Sequence, residues 1–161
     1  MSIRAFVSTD LPAVLELTLE VFGPFYEQSF RSMVSPKVFE HQHGAWADDY
    51  RREVPTFHNP DSGKYVAVDE RDSRLVGYVA WHIDTVRRHG EIEMLAVRDG
   101  HRRAGTGRAL CEHALDSMRS SSVEVVGIGT GGDSFHAPAR HLYESLGFSL
   151  IPLAAYLRSI D

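Results

Sequence analysis

The stretch Glu91–Leu110, which reads EIEMLAV, then RDGH, RRAGTG and RAL, constrains this chain more than any other. Acidic and apolar residues alternate over its first half, which predicts a strand with Glu91 and Glu93 on one face and Ile92 and Met94 on the other. Leu110, Cys111, Ala114, Leu115 and Met118 then recur at intervals of three and four, so a helix with one apolar stripe opens near Gly105 or Thr106. The loop between carries glycines at 105 and 107, with Arg102, Arg103 and Arg108 around them. The first amides of a helix lack an acceptor within the helix and carry the positive end of its peptide dipoles. Glycine admits an anion to the backbone and arginine adds charge-assisted hydrogen bonds. Strand, glycine loop and helix in this order predict a seat for a pyrophosphate.

Two familiar phosphate loops fit the residues poorly. Gly100 and Gly105 have the spacing of a Walker loop, but Thr106 stands where the lysine is required. Gly127, Gly129 and Gly132 can be laid on a dinucleotide fingerprint, yet no helix opens directly behind them. By contrast, Arg102-Arg103-Ala104-Gly105-Thr106-Gly107, directly after a Leu-Ala-Val strand end, resembles the Gln/Arg-x-x-Gly-x-Gly/Ala signature of the GNAT acyltransferases. A second stretch, Ala139 to Phe148 (ARHLYESLGF), is similar to another motif of the same family and follows in the expected order.

The resemblance implies an α/β (α+β) fold: a mixed, mostly antiparallel central sheet with a splayed parallel strand pair, flanked by helices. It also implies acetyl-CoA, or another short acyl-CoA, as acyl donor. The pantetheine arm would run along the backbone of Leu95, Ala96 and Val97, with the pyrophosphate on the loop formed by Arg102, Arg103, Ala104, Gly105, Thr106, Gly107 and Arg108. His136, Ala139 and Tyr143 fall on further donor-contacting positions; His136 departs from the asparagine that the family often has there.

Direct transfer to an amine needs a base, because an alkylammonium with a pKa of about 10 is almost wholly charged at neutral pH. Aligned without gaps by counting back from the Arg102 loop, Glu91 falls on the general-base position of the histone-type members. Glu93, two residues on, is the alternative base or the group that attracts the cation. The Leu95 amide is the candidate oxyanion donor and the Tyr143 phenol the candidate proton donor to the leaving thiolate. The implied activity is N-acetyl transfer to the primary amine of a small or amino-acid-like molecule in a ternary complex. Two alternatives stay open: a protein lysine or N-terminal acceptor, and a CoA-binding sensor without turnover.

Composition narrows the surroundings of this site. At 161 residues the chain suits one domain, 1–161, able to bury a core without disulfides or metal. Its only cysteine, Cys111, lies on an apolar helical stripe and reads as a buried small hydrophobe. No apolar run approaches the roughly 20 residues of a membrane span, and MSIRAFVSTD lacks the apolar core of a secretion signal, so the cytoplasm is expected. A net charge of −5 argues against nucleic acid as partner and suits a cationic amine; a homodimer is compatible. Of the nine histidines, His41 and His43 would diverge by about 200° on a helix, and no cluster has ligand spacing, so no metal is expected.

In chain order, Ile3–Val7 reads as a strand, and Ser8 to Pro12 opens a helix that runs to about Phe22, where Gly23-Pro24 should break it. Ser35-Pro36 starts another helix, with Phe39, His43, Trp46, Tyr50 and Val54 on one face. That stripe either packs on the sheet or, through Phe25, Tyr26, Trp46 and Tyr50, lines an acceptor pocket, as this segment commonly does in the family. Residues 64–68 and 75–85 read as strands of a meander leading into the Glu91 strand. A crossover helix over 106–120 precedes a strand at 124–128, parallel to that of Glu91. Pro138 opens a helix that Gly147 ends, and residues 148–151 and 154–157 read as closing strands.

Overall fold

The computed structural model describes residues 2–160. Its sheet has five strands in the order β1-β2-β3-β4-β5: β1 Ile3–Ala5, β2 Lys64–Arg71, β3 Arg74–Asp84, β4 His89–Val97 and β5 Val125–Ile128. The first four are antiparallel neighbours, and β5 lies parallel to β4. The β2–β3 hairpin turns on Asp72 and Ser73, both at positive φ, a two-residue turn whose twist matches that of the strands. The parallel pair requires a crossover, which α5 (Thr106–Ser120) provides.

Period-two alternation divides the core between two faces. Val66, Val68, Tyr78 and Ala80 point to the face covered by α1 (Leu11–Pro24) and α4 (Trp46–Glu53), packing on Val14, Leu17, Val21, Tyr50 and Val54. Ala67, Val79, Trp81 and Ile92 point to the other face and meet Leu110, Cys111, Ala114 and Met118 of α5.

The Gly23-Pro24 pair does not break the first helix. The chain continues through a π-helical stretch, Phe25–Phe30, and a closing turn, α2 (Arg31–Met33). A proline ring crowds the carbonyl four residues back and donates nothing to it; the next amide, of Phe25, donates to the Phe22 carbonyl, and the helix then widens, with the Arg31 amide donating to the Tyr26 carbonyl. Gly23 has a packing reason, since a Cβ there would lie 2.9 Å from the Trp46 ring.

The aromatic stripe is carried by two helices rather than one: α3 (Pro36–His43), whose Ser35 cap accepts from the Val38 amide at 3.3 Å, and α4. Gly44-Ala45 separates them, the glycine having little propensity to stay helical. The closing strands expected at 148–151 and 154–157 do not form. After α6 (Ala137–Ser145) and Gly147, at φ 91°, residues 149–160 pair with no strand, and Pro152 removes one donor from the segment.

Candidate active site

The site grows from an irregularity in β4. Its register against β3 pairs Met94 with Ala80 but Ile92 with Trp81, so Glu93 is an extra residue, a β-bulge. Ile92 packs on the α5 side and Met94 on the α1 side, which corrects the expectation that both share a face. Glu91 and Glu93 do lie together. Glu91 sits opposite His82 in the register, and Glu93 Oε1 is 2.9 Å from His82 Nδ1. Pairing with β5 ends at Ile92↔Ile128, so from the bulge onward β4 has no strand on that side among the described residues.

The orientation of that open edge follows from one bond. The Arg98 amide donates to the Val76 carbonyl at 2.8 Å on the β3 side, so by antiparallel alternation Leu95 and Val97 turn their amides and carbonyls outward. Arg102 Nε donates to the outward Val97 carbonyl at 3.0 Å.

The edge leads directly to the start of α5. Arg103 and Gly105 both take positive φ (62° and 83°), and turns of this kind direct successive amides into one concavity, an anion nest. Residues 102–105 are exposed while Thr106 is buried, so amides front the concavity and the helix behind them is anchored. Gly107 is needed for close approach, because a Cβ there would touch Leu142, Leu95 and Val97 at 3.3 to 3.8 Å. The arginines are partly engaged elsewhere: Arg102 also pairs with Asp99 at 2.7 Å, and Arg108 Nη2 donates to Ser145 Oγ at 2.6 Å, tying α5 to α6.

The remaining candidate side chains lie on β4, α5, α6 and the turn before α6. The Glu91 carboxylate lies over β5, where a Cβ on Gly127 would come within 2.4 Å of its Oε2, and His89 Nε2 is 3.4 Å from the same oxygen. Tyr143 packs from α6 into the cluster holding Leu95 and Val97. Burial, with a smaller contribution from Cys111, pushes its phenol well above the ordinary range, so it remains a proton carrier. Cys111 itself is buried, and its thiol is pushed up to about 12, mainly by burial. His136 Nδ1 lies 2.7 Å from Asp133 Oδ1. Burial would raise that carboxyl, but hydrogen bonding and charge from His136 outweigh it and hold it low. Ala139 lies in the first turn of α6, three residues beyond His136.

The aromatic residues divide in two. Tyr26 stacks on Trp46 with ring centroids 5.4 Å apart and shares a 3.0 Å hydroxyl contact with Tyr50, which is buried in the α1-side core. Phe25 turns the other way and meets the His136 ring edge-on at 4.6 Å. The His82–Glu93 and Asp133–His136 pairs and the contact of Phe25 with His136 were not anticipated. Of these only the Asp133-x-x-His136 spacing before a helix leaves a trace in the sequence. Among the described residues, no group of three or more metal-ligating side chains gathers.

A strand edge left open beyond a bulge thus runs into exposed amides at the start of α5. The model of the acetyltransferase (GNAT) family matches residues 22–148, and the chain belongs to that family. It is 31% identical over 140 residues to mycothiol acetyltransferase of Thermomonospora curvata, covering 83% of this chain and 44% of that protein. It is 33% identical over 97 residues to streptothricin acetyltransferase of Streptomyces lavendulae, covering 60% of this chain and 50% of that protein. The chain thus spans about half the length of these relatives or less. Among solved structures, the PaiA N-acetyltransferase of Thermoplasma acidophilum, in complex with coenzyme A, superposes with a TM-score of 0.67 at 15% identity, over 96% of this chain and 94% of that one. That similarity is one of fold.

Proposed function

We propose that this protein is an acetyl-CoA-dependent N-acetyltransferase that modifies the primary amine of a small molecule by direct transfer in a ternary complex. The observation that carries the reading is the continuity of the open Leu95–Val97 edge with the amide nest at Arg103–Gly105, beside two carboxylates. The outward amides and carbonyls of Leu95 and Val97 hold the amide-bearing arm of the donor, and the nest with the first turn of α5 holds its pyrophosphate. Glu91, or Glu93 in its place, takes the proton from the acceptor ammonium directly or through water. The freed amine attacks the thioester carbonyl, forming the C–N bond, and the Leu95 amide stabilises the oxyanion. As this collapses the C–S bond breaks, the Tyr143 phenol gives its proton to the departing thiolate, and the proton shed by the new amide nitrogen restores the phenol directly or through water.

The small acceptor is supported by the names of the relatives, which are acetyltransferases of mycothiol and of streptothricin. Tyr26, Trp46 and Tyr50, with Phe25 turned toward His136, would supply apolar surface for such an acceptor. The compartment in this reading is the cytoplasm; among the described residues, no helix is long and apolar enough to cross a membrane.

Thermal unfolding with acetyl-CoA, followed by thiol release against a panel of amines, tests the proposal. Ligand at 100 times its dissociation constant stabilises by about 2.7 kcal/mol, which for a domain of this size raises the melting temperature by roughly 5 to 11 °C. Gly105→Glu should abolish the rise relative to its own unliganded melting point. No rise at saturating acetyl-CoA would remove the donor site. A rise without thiol release from any amine would favour a CoA sensor.

A further inference from the structure

The first turn of α5, directly behind the nest, is held from a strand that takes no part in the site. Gly105, which caps the helix, has no side chain to offer, and Thr106, its first residue, is 1% exposed. A hydroxyl buried to that degree needs a partner. Arg71, at the end of β2, supplies it: its Nη2 donates to Thr106 Oγ1 at 2.6 Å.

Arg71 is itself held. The same nitrogen donates to Asp69 Oδ2 at 3.1 Å, and Asp69 is 0% exposed. The other oxygen of Asp69 accepts from the Ser2 amide at 3.0 Å. Asp69 and Arg71 lie two residues apart and follow Ala67 onto the face that α5 covers. Opposite Asp69 on β3 stands Gly77, where a Cβ would meet Leu110, the Ala96 carbonyl and the Thr106 methyl group at 2.9 to 3.3 Å. Only glycine allows β3 and α5 to come this close, and the close approach brings Thr106 within reach of the β2 pair.

An ion pair taken out of water returns little net stability, and Arg71 Nε is buried with no hydrogen-bond partner among the described residues. What the pair does provide is a fixed point. Bonds run from the Ser2 amide through Asp69 and Arg71 to the residue that follows the nest.

We propose that Arg71, oriented by Asp69, is a positioning residue for donor binding: it fixes Thr106, and with it the amides of the Arg103–Thr106 turn that receive the pyrophosphate of acetyl-CoA. The inference rests on the acetyl-CoA reading of the nest. Arg71 acts through Thr106, and because Asp69 compensates its charge the effect is on geometry rather than on the field at the phosphates. Hydrogen bonds from the nest weaken steeply when their angle is lost, so a small shift of the first turn is felt by the donor.

Calorimetric titration with acetyl-CoA tests this on the wild type, on Thr106→Val, and on Asp69→Asn/Arg71→Met, which removes both charges and keeps an acceptor for the Ser2 amide. Each variant should bind acetyl-CoA about tenfold more weakly. Combining all three substitutions should weaken binding no further, because each variant removes the same contact. Acetyl-pantetheine, which lacks the pyrophosphate, should bind the wild type and Asp69→Asn/Arg71→Met alike in NMR titrations. Circular dichroism checks folding, and the nearly isosteric Thr106→Val carries the test if the paired substitution unfolds the chain. A wild type that binds no acetyl-CoA would overturn the donor reading and this inference with it. Binding by the wild type that neither variant weakens would overturn the inference alone. So would an equal loss of acetyl-CoA and acetyl-pantetheine, the mark of a general packing defect.

Discussion

β3 and β5 lie two strands apart in one sheet, yet β3 buries every residue from Leu75 to Trp81 while β5 fully buries none. The same contrast separates the helices on that face: α5 buries Thr106, Leu110, Cys111, Ala114 and Met118, and α6 buries none completely. β4 lies at the seam. It is packed against β3 along its length and against β5 only up to Ile92, and the candidate site lies where that second pairing stops. Backbone groups can serve a ligand only where the ladder releases them, so the site and the thin packing beside it share one physical origin.

The largest expected effect is at the seam. Glu91→Gln should lower kcat by about 10²- to 10⁴-fold if that carboxylate is the base, most strongly below the acceptor's pKa of about 10. Glu93→Gln is the comparator, and kcat–pH profiles of both decide between them. If neither changes turnover, no carboxylate on this strand accepts the proton.

Next comes the contrast in packing. Leu110→Ala should cost about 2 to 5 kcal/mol in denaturant unfolding, because its site is fully enclosed between α5 and β3. Leu146→Ala, only partly covered after α6, should cost about 1 kcal/mol. Equal costs would mean that Leu146 is packed in solution as tightly as Leu110.

Gly127→Ala separates chemistry from stability. Its methyl group would displace the Glu91 carboxylate, so kcat should fall by up to about 10²-fold, while the unfolding midpoint stays close to that of the wild type. Kinetics and melting of the same sample check both.

The smallest effect lies far from the seam. Asp10 accepts from Arg4 at 2.8 and 2.9 Å and from the Val7 amide at 2.9 Å. The Arg4 hydrogen bonds hold its carboxyl below the ordinary range in spite of burial. A depressed folded pKa gives stability that is present above the unfolded value and lost as pH falls through the folded one. Asp10→Asn should therefore cost about 1 kcal/mol at neutral pH, and the gap from wild type should close in acid. Urea midpoints measured along a pH series test this.

How much could be read in advance depended on how local each cause was. The nest loop, the helix behind it and the meander before it follow from glycine placement and periodicity within a few residues. The stop expected at Gly23-Pro24 does not occur: the chain stays helical into a π-helical stretch, and the glycine is explained by Trp46, distant in sequence. The stripe of residues 39 to 54 was periodic enough for one helix, but Gly44 divided it. Met94 was assigned to the wrong face because a bulge depends on the partner strand, which no window around residue 93 contains.

The sequence by itself determined the family, the order of strand, glycine loop and helix over 91–120, and the burial of Cys111, since each rests on short motifs or on spacing along one element. Only the tertiary structure decided that Glu93 sits on a bulge beside His82, that Leu95 and Val97 face an open edge, and that Phe25 meets a histidine paired with Asp133. It also decided that the last residues, patterned as strands, stay unpaired. A strand is completed by hydrogen bonds to a neighbour, and periodicity can specify the segment without supplying the edge that receives it.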